Sequence, residues 1–163
     1  MIRETIFNIL GPRIVGAVFC DLYAGCGSVG IEALSRGARR CLFIESRDAC
    51  VHTIEANLQH TGLASGAVVL AGRLPAAYAG AAQAHGPFDL VFADPPYEDQ
   101  TLAQLVQRLV VEGEGLAPEA LVIIQRSRHN RPAQLPQADR VKRFGETVVE
   151  FFPVRGGGTA SDD

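Results

Sequence analysis

The segment Asp21-Leu22-Tyr23-Ala24-Gly25-Cys26-Gly27-Ser28-Val29-Gly30 puts a carboxylate just ahead of a G-x-G-x-x-G run. Glycines so spaced permit a tight turn and close backbone approach to a ligand, with a helix N-terminus behind them. On the glycines alone, a dinucleotide, another adenosine cofactor and a turn with no ligand all remain open. Asp21 separates them. A carboxylate there repels a pyrophosphate and attracts the cationic amino-acid end of S-adenosylmethionine. Glu45, at the end of the next apolar run, stands where an acid accepts hydrogen bonds from both hydroxyls of an adenosine ribose. Taken by itself it could equally be a solvated strand end.

A second set, Asp94-Pro95-Pro96-Tyr97, follows the apolar run Phe88-Asp89-Leu90-Val91-Phe92-Ala93. An exocyclic base amine is a poor nucleophile because its lone pair is delocalised into the ring. Two acceptors, an Asp94 oxygen and the Pro95 carbonyl, can take its two N–H groups and turn that lone pair toward a methyl group. The prolines hold the preceding residues extended and stiffen the ledge. Tyr97 offers a face on which an unpaired base can stack. The pattern suits in-line methyl transfer driven by positioning, with no metal. The same acceptor pair suits guanine N2, adenine N6 or cytosine N4.

These residues must be carried to one edge by the elements around them. Apolar strand-like runs alternate with helical stretches, the signature of a parallel sheet covered by helices on both faces. Strands are expected at Val18–Leu22, Arg40–Glu45, Ala67–Leu70, Phe88–Ala93 and Ala120–Ile124. After a short amphipathic start, Arg3–Leu10, helices are expected over Val29–Arg36, from a cap at Asp48 to His60, after Pro75, and through Leu102 to Leu109. Val141–Phe144 and Thr147–Phe152 flank Gly145-Glu146 as a terminal antiparallel hairpin. Residues 1–155 read as one domain, and 156–163 as a disordered, Gly-rich tail.

At 163 residues, 47% hydrophobic and 20% charged, the chain can build a real core. No apolar run reaches the roughly 18 residues of a membrane span, and Arg3, Glu4 and Asn8 break up any signal peptide. A cytoplasmic monomer is the expectation. Cys20, Cys26, Cys41 and Cys50 lack C-x-x-C pairing and read as reduced thiols; His52, His60, His85 and His129 show no metal spacing. Net charge is −3, yet between Arg126 and Arg143 six cations face one acid, Asp139. A solvated loop and a nucleic-acid contact explain this cluster equally well.

Arg3-Glu4-Thr5-Ile6-Phe7-Asn8, Asp21 to Gly27, Gly30-Ile31-Glu32-Ala33-Leu34-Ser35-Arg36-Gly37-Ala38 and Asp94 to Tyr97 together resemble the RsmD family of 16S ribosomal RNA guanine-N2 methyltransferases. The resemblance spans nearly the whole chain; the E-A-L-S-R-G-A run is its most specific part. It implies a Rossmann-like class I methyltransferase fold, an α/β sheet of seven strands with the last antiparallel. It implies S-adenosylmethionine bound by Asp21, Tyr23, Ala24, Gly25, Cys26 and Gly27 together with Glu45 and Ser46. Target-amine binding falls to Asp94, Pro95, Pro96 and Tyr97, and the partner is 16S ribosomal RNA or a small-subunit assembly intermediate. Gly72-Arg73 replaces the more typical Asn or Asp that reads the adenine, so backbone groups there are expected to serve. Cys26 takes the place of a usual Ser or Thr. The chain begins almost inside the R-E-T motif, which in the family follows a basic hairpin that grips RNA, so weaker substrate affinity is expected. A cofactor-binding module without turnover is the alternative of another class.

Overall fold

The computed structural model describes residues 1–96, 101–131 and 135–154. Tyr97 and the tail expected at 156–163 lie outside them.

Helix α1 (Ile2–Leu10) leads into strand β1 (Val18–Leu22), and α2 (Ser28–Ser35) into β2 (Arg40–Glu45). Next come α3 (Asp48–Thr61), β3 (Ala67–Ala71), α4 (Tyr78–His85) and β4 (Phe88–Ala93). The chain closes with α5 (Leu102–Val106), β5 (Leu116–Ser127), β6 (Arg140–Phe144) and β7 (Thr147–Pro153). The seven strands form one sheet in the order β3-β2-β1-β4-β5-β7-β6. The first five are parallel, and β7 runs antiparallel between β5 and β6. This is the Rossmann-like α/β architecture that the alternation of apolar runs predicts.

The order places β1 and β4 side by side at the centre, where water reaches neither face. All five residues of β1 are buried, which is why the run carries no alternation. Register sets Asp21 between Phe43 of β2 and Phe92 of β4, and Leu22 beside Ala93. The loops after β1, β2 and β4 therefore leave the sheet at one edge.

Each face of the sheet has its own apolar layer. On one, Leu22, Ile44, Val91 and Ile124 pack with Tyr78 of α4 and Leu105 of α5. On the other, Phe19, Phe43 and Ile123 pack with Phe7 of α1, Ala33 of α2 and Ile54 of α3. Burying a large apolar side chain contributes roughly 1.5–3 kcal/mol, so these layers, rather than helix propensity, hold the short helices in place.

Four expectations are corrected. Asp48 does not cap α3: Arg47 is the residue before the helix, and no side chain caps it. Asp48 instead lies in the first turn, where its charge still complements the helix dipole. The fifth helix is cut short because Gln107–Val111 widens into a π-helical turn. Strand β5 extends beyond Ala120–Ile124 at both ends, since Leu116 pairs with Phe88 and Gln125 to Ser127 pair with β7. Consequently Arg126 belongs to β5 in place of a solvated loop, while Lys142 and Arg143 lie in β6, the first strand of the expected hairpin, which Arg140 extends. All four cysteines are free thiols.

Candidate active site

Strand β1 hands over to α2 through a turn whose geometry depends on its glycines. Gly27, with φ 84°, precedes α2 in a left-handed conformation that side chains resist. Gly30 answers a different need. A Cβ there would stand 2.3 Å from Cε1 of Phe43 and 2.7 Å from Sγ of Cys41, so the helix can lie this close to β2 only without one. Tyr23 is in the left-handed region, φ 57°, without being glycine. Such strain typically costs on the order of 1–3 kcal/mol and gathers at functional sites. Its hydroxyl shares a 3.2 Å hydrogen bond with Thr101 Oγ1, linking the turn to the chain that follows the double proline.

The turn is braced from both sides. The Gly25 amide donates to Glu45 Oε1 at 2.9 Å, and the Arg47 amide donates to Oε2 at 2.8 Å, so one carboxylate ties two loops together. Asn57 Nδ2 donates to the Cys26 carbonyl at 3.0 Å. The Gly30 amide donates to Asp21 Oδ2 at 3.0 Å, placing Asp21 directly beneath the start of α2.

Above this turn opens a cleft of about 680 Å³. Asp21, Tyr23, Ala24, Gly25 and Cys26 line it from the first loop, and Glu45 and Ser46 from the second. Asp94 and Pro96 line it from the third. Pro95 faces an adjoining hollow that Asp94 also lines. Gly27 lies beneath, against Ile54 and Phe43. Gly72 and Arg73 are not part of the cleft: the Gly72 amide donates to the Glu45 carbonyl, and the Arg73 carbonyl accepts from Ala77. The residues that sequence reasoning did not assign are Ile2, Arg3 and Ile6 of α1, Ser28 and Val29 of α2, Arg47 ahead of α3, Phe92 of β4 and Gln125 of β5. Only the R-E-T-I-F run signalled α1, because what folds over a cleft is a long-range fact.

Three carboxyls share this space and differ in charge. Asp21 is 1% exposed, and burial pushes its carboxyl up to about 8. The Gly30 hydrogen bond opposes that rise, while the nearby Asp94 and Glu45 charges add to it. Asp94 has part of its side chain at the open rim, yet withdrawal of water from its carboxyl raises it to about 6. Burial works to raise Glu45 as well. There the Arg47 amide, the Gly25 amide and the Arg47 guanidinium outweigh it and hold Glu45 below the usual carboxylate range. The expectation of a negatively charged floor thus holds for Glu45, whereas Asp21 carries a proton at neutral pH until a cation arrives. Among the described residues no group of three His, Cys, Asp or Glu side chains could hold a metal, and no helix is long and apolar enough to cross a membrane.

Residues 1–153 match the family described as conserved hypothetical protein 95. The chain is 32% identical over 165 residues to ribosomal RNA small subunit methyltransferase D of Escherichia coli, covering 99% of this chain and 81% of that protein. Against the Haemophilus influenzae protein of the same name it is 31% identical over 136 residues, 83% of this chain and 69% of that one. A solved structure of a Thermus thermophilus hypothetical protein superposes with a TM-score of 0.78 at 27% identity, covering 94% and 85% of the two chains. An RNA methyltransferase of Salinibacter ruber, in complex with S-adenosyl-L-homocysteine, shares the fold at 17% identity, with a TM-score of 0.70 over 99% and 96% of the chains. By its match over nearly its whole length, and by its identity to these proteins, the chain belongs to the RsmD family.

Proposed function

We propose that the chain is an S-adenosylmethionine-dependent ribosomal RNA methyltransferase, and that it methylates the exocyclic N2 amine of a guanine in 16S ribosomal RNA. One observation carries the reading. Asp94 and Pro96 line the same cleft as the glycine turn and Glu45, so a donor site and an amine-gripping ledge open onto one space. The names of the relatives support ribosomal RNA as the substrate.

The residues fit the donor. Asp21 and Glu45 supply acids for its ammonium and ribose ends, and the stretch Tyr23 to Cys26 presents backbone to it. When bound, S-adenosylmethionine supplies an electrophilic methyl group. Asp94 and the Pro95 carbonyl accept the two N–H bonds of the base amine and hold its lone pair in line. Asp94 accepts most strongly when ionised, as it is above about pH 6. Phe92 and Ile6 close the walls and keep water from the transfer. The proton that leaves the alkylated amine passes to solvent, for which the exposed Asp94 provides the way out.

Incubation with radiolabelled donor and small subunits from a strain lacking the modification tests this. Label should enter the RNA, nuclease digestion should release N2-methylguanosine, and Asp94→Ala should abolish both. Label in N6-methyladenosine or N4-methylcytidine would move the reading to another base. Donor binding with no label at all would leave a non-catalytic module.

A further inference from the structure

The cleft continues beyond the residues used so far. Asp94 and Gln125 also line a second hollow of about 250 Å³, with Pro95, Arg126 and Asn130. Arg126 in turn lines a third, of about 380 Å³, with Arg128, Arg131 and Arg143. The first two hollows share Asp94 and Gln125 and the last two share Arg126, so they adjoin in sequence from Asp94, over the end of β5, to the opposite face of the β6–β7 hairpin. The Gly145-Glu146 turn of that hairpin reaches the same edge, since Glu146 and Thr147 border the second hollow.

The balance of charge changes along the groove. At the donor end Asp21, Glu45 and Asp94 stand with Arg3 and Arg47, and Glu45 is paired with Arg47. At the far end four arginines face Glu150. Arg126 is 7% exposed and its guanidinium is committed to Glu150, so it forms a fixed floor. Arg128 shares Glu146 with His129. Arg131 and Arg143 form no ion pair with described residues, and they are the cations left for an incoming anion. Cations and acids offset one another in the cleft, whereas Arg131 and Arg143 leave this end with an excess of positive charge, which suits a strand that inserts one base and leaves its backbone outside. Guanidinium groups match phosphate oxygens in paired hydrogen bonds.

We propose that this groove carries the backbone of single-stranded RNA flanking the target nucleotide, with Arg131 and Arg143 each engaging a phosphate. The proposal rests on the RNA-methylating reading above and adds to it the path of the substrate.

The test compares Arg131→Ala/Arg143→Ala with Arg39→Ala/Arg40→Ala, which removes the same charge from exposed residues at the start of β2. Binding of a fluorescein-labelled single-stranded RNA of about twelve nucleotides is followed by anisotropy across a salt series. Losing two single-strand phosphate contacts lowers the slope of log affinity against log salt by about 1.4, or on the order of 20-fold in affinity at 0.1 M salt. That loss should appear in the first double variant alone. The KM for RNA should rise while kcat changes little, and S-adenosylhomocysteine affinity by calorimetry should stay at the unaltered value. If the unaltered protein methylates RNA and the first variant matches it in slope and KM, the groove is refuted and the function stands. Equal losses in both double variants would also refute it, replacing a path with diffuse charge. Polyglutamate displacing the RNA as well as unlabelled RNA does would refute it too. If the unaltered protein neither binds nor methylates RNA, the functional reading falls and the groove falls with it.

Discussion

Donor affinity should depend on pH through Asp21. In the free protein its carboxyl titrates near 8, so at pH 7 roughly one molecule in eleven carries the charge that a cationic ligand needs. At pH 8 the share is about one in two. If the ligand binds the ionised form, apparent affinity rises about fivefold over that single unit, or about 1 kcal/mol. The other cleft acids contribute little to this rise: Glu45 lies below the usual range, and Asp94, near 6, is already largely ionised at pH 7. Binding at pH 7 must also expel close to one proton. Titration calorimetry with S-adenosylhomocysteine, run in two buffers of unlike ionisation enthalpy at pH 7 and 8, measures both quantities. Asp21→Asn should bind more weakly and show neither the rise nor the proton release. A flat affinity, or the same proton release from Asp21→Asn, would refute the link between burial and recognition.

Four further outcomes follow from the same geometry. Because the native state keeps the Asp21 proton up to about 8 and the unfolded chain loses it near 3.8, wild-type stability should fall as pH rises between those values, and urea midpoints of Asp21→Asn should lack that decline. Gly30→Ala gains about 1 kcal/mol of helix propensity but forces a methyl group into a buried ring, an overpacking cost of about 1–3 kcal/mol; its urea midpoint should drop, and a midpoint equal to wild type would mean that Phe43 can move. Glu150→Gln strips the partner from a buried guanidinium and should destabilise by about 3–5 kcal/mol in chemical denaturation, with Arg126→Met/Glu150→Leu recovering most of it. Asp94→Ala should lower kcat at least about a hundredfold while S-adenosylhomocysteine still binds, and the wild-type rate should fall as pH drops through about 6, where the protonated carboxyl is a weaker acceptor for its amine hydrogen.

Much of this architecture is legible in the sequence because central parallel strands are buried on both faces. Val18–Leu22 and Phe88–Ala93 read as apolar runs, each interrupted by a single aspartate, and form strands with those bounds. Legibility fails where long-range pairing decides the outcome. Nothing local in Gln125-Arg126-Ser127 says that β7 will pair with it, so strand 5 read as ending at Ile124. Nothing local in Asp48 says that the neighbouring Arg47 amide is occupied by Glu45. The glycine turn and the double proline stand out in the sequence by type and spacing, but that they open onto a common cleft with Ile2, Arg3 and Ile6 is a property of the fold. Gly72 and Arg73 were placed by resemblance alone; in the fold the Gly72 amide continues the β2–β3 pairing to the Glu45 carbonyl, outside the lining of the cleft. The charge of Asp21 was read from its type, whereas its burial between Phe43 and Phe92 governs it.

The position of β7 bears on how the molecule comes to exist during synthesis. The strand nearest the end of the sheet in chain order is inserted beside β5, and its Val149, Phe151 and Phe152 fill both apolar layers. A nascent chain that has emerged only as far as β5 therefore presents an unpaired, strongly apolar edge to its surroundings. Native assembly must wait until Pro153 clears the ribosome, so the interval between emergence of β5 and β7 is when this polypeptide is most exposed to mispairing and most in need of a chaperone.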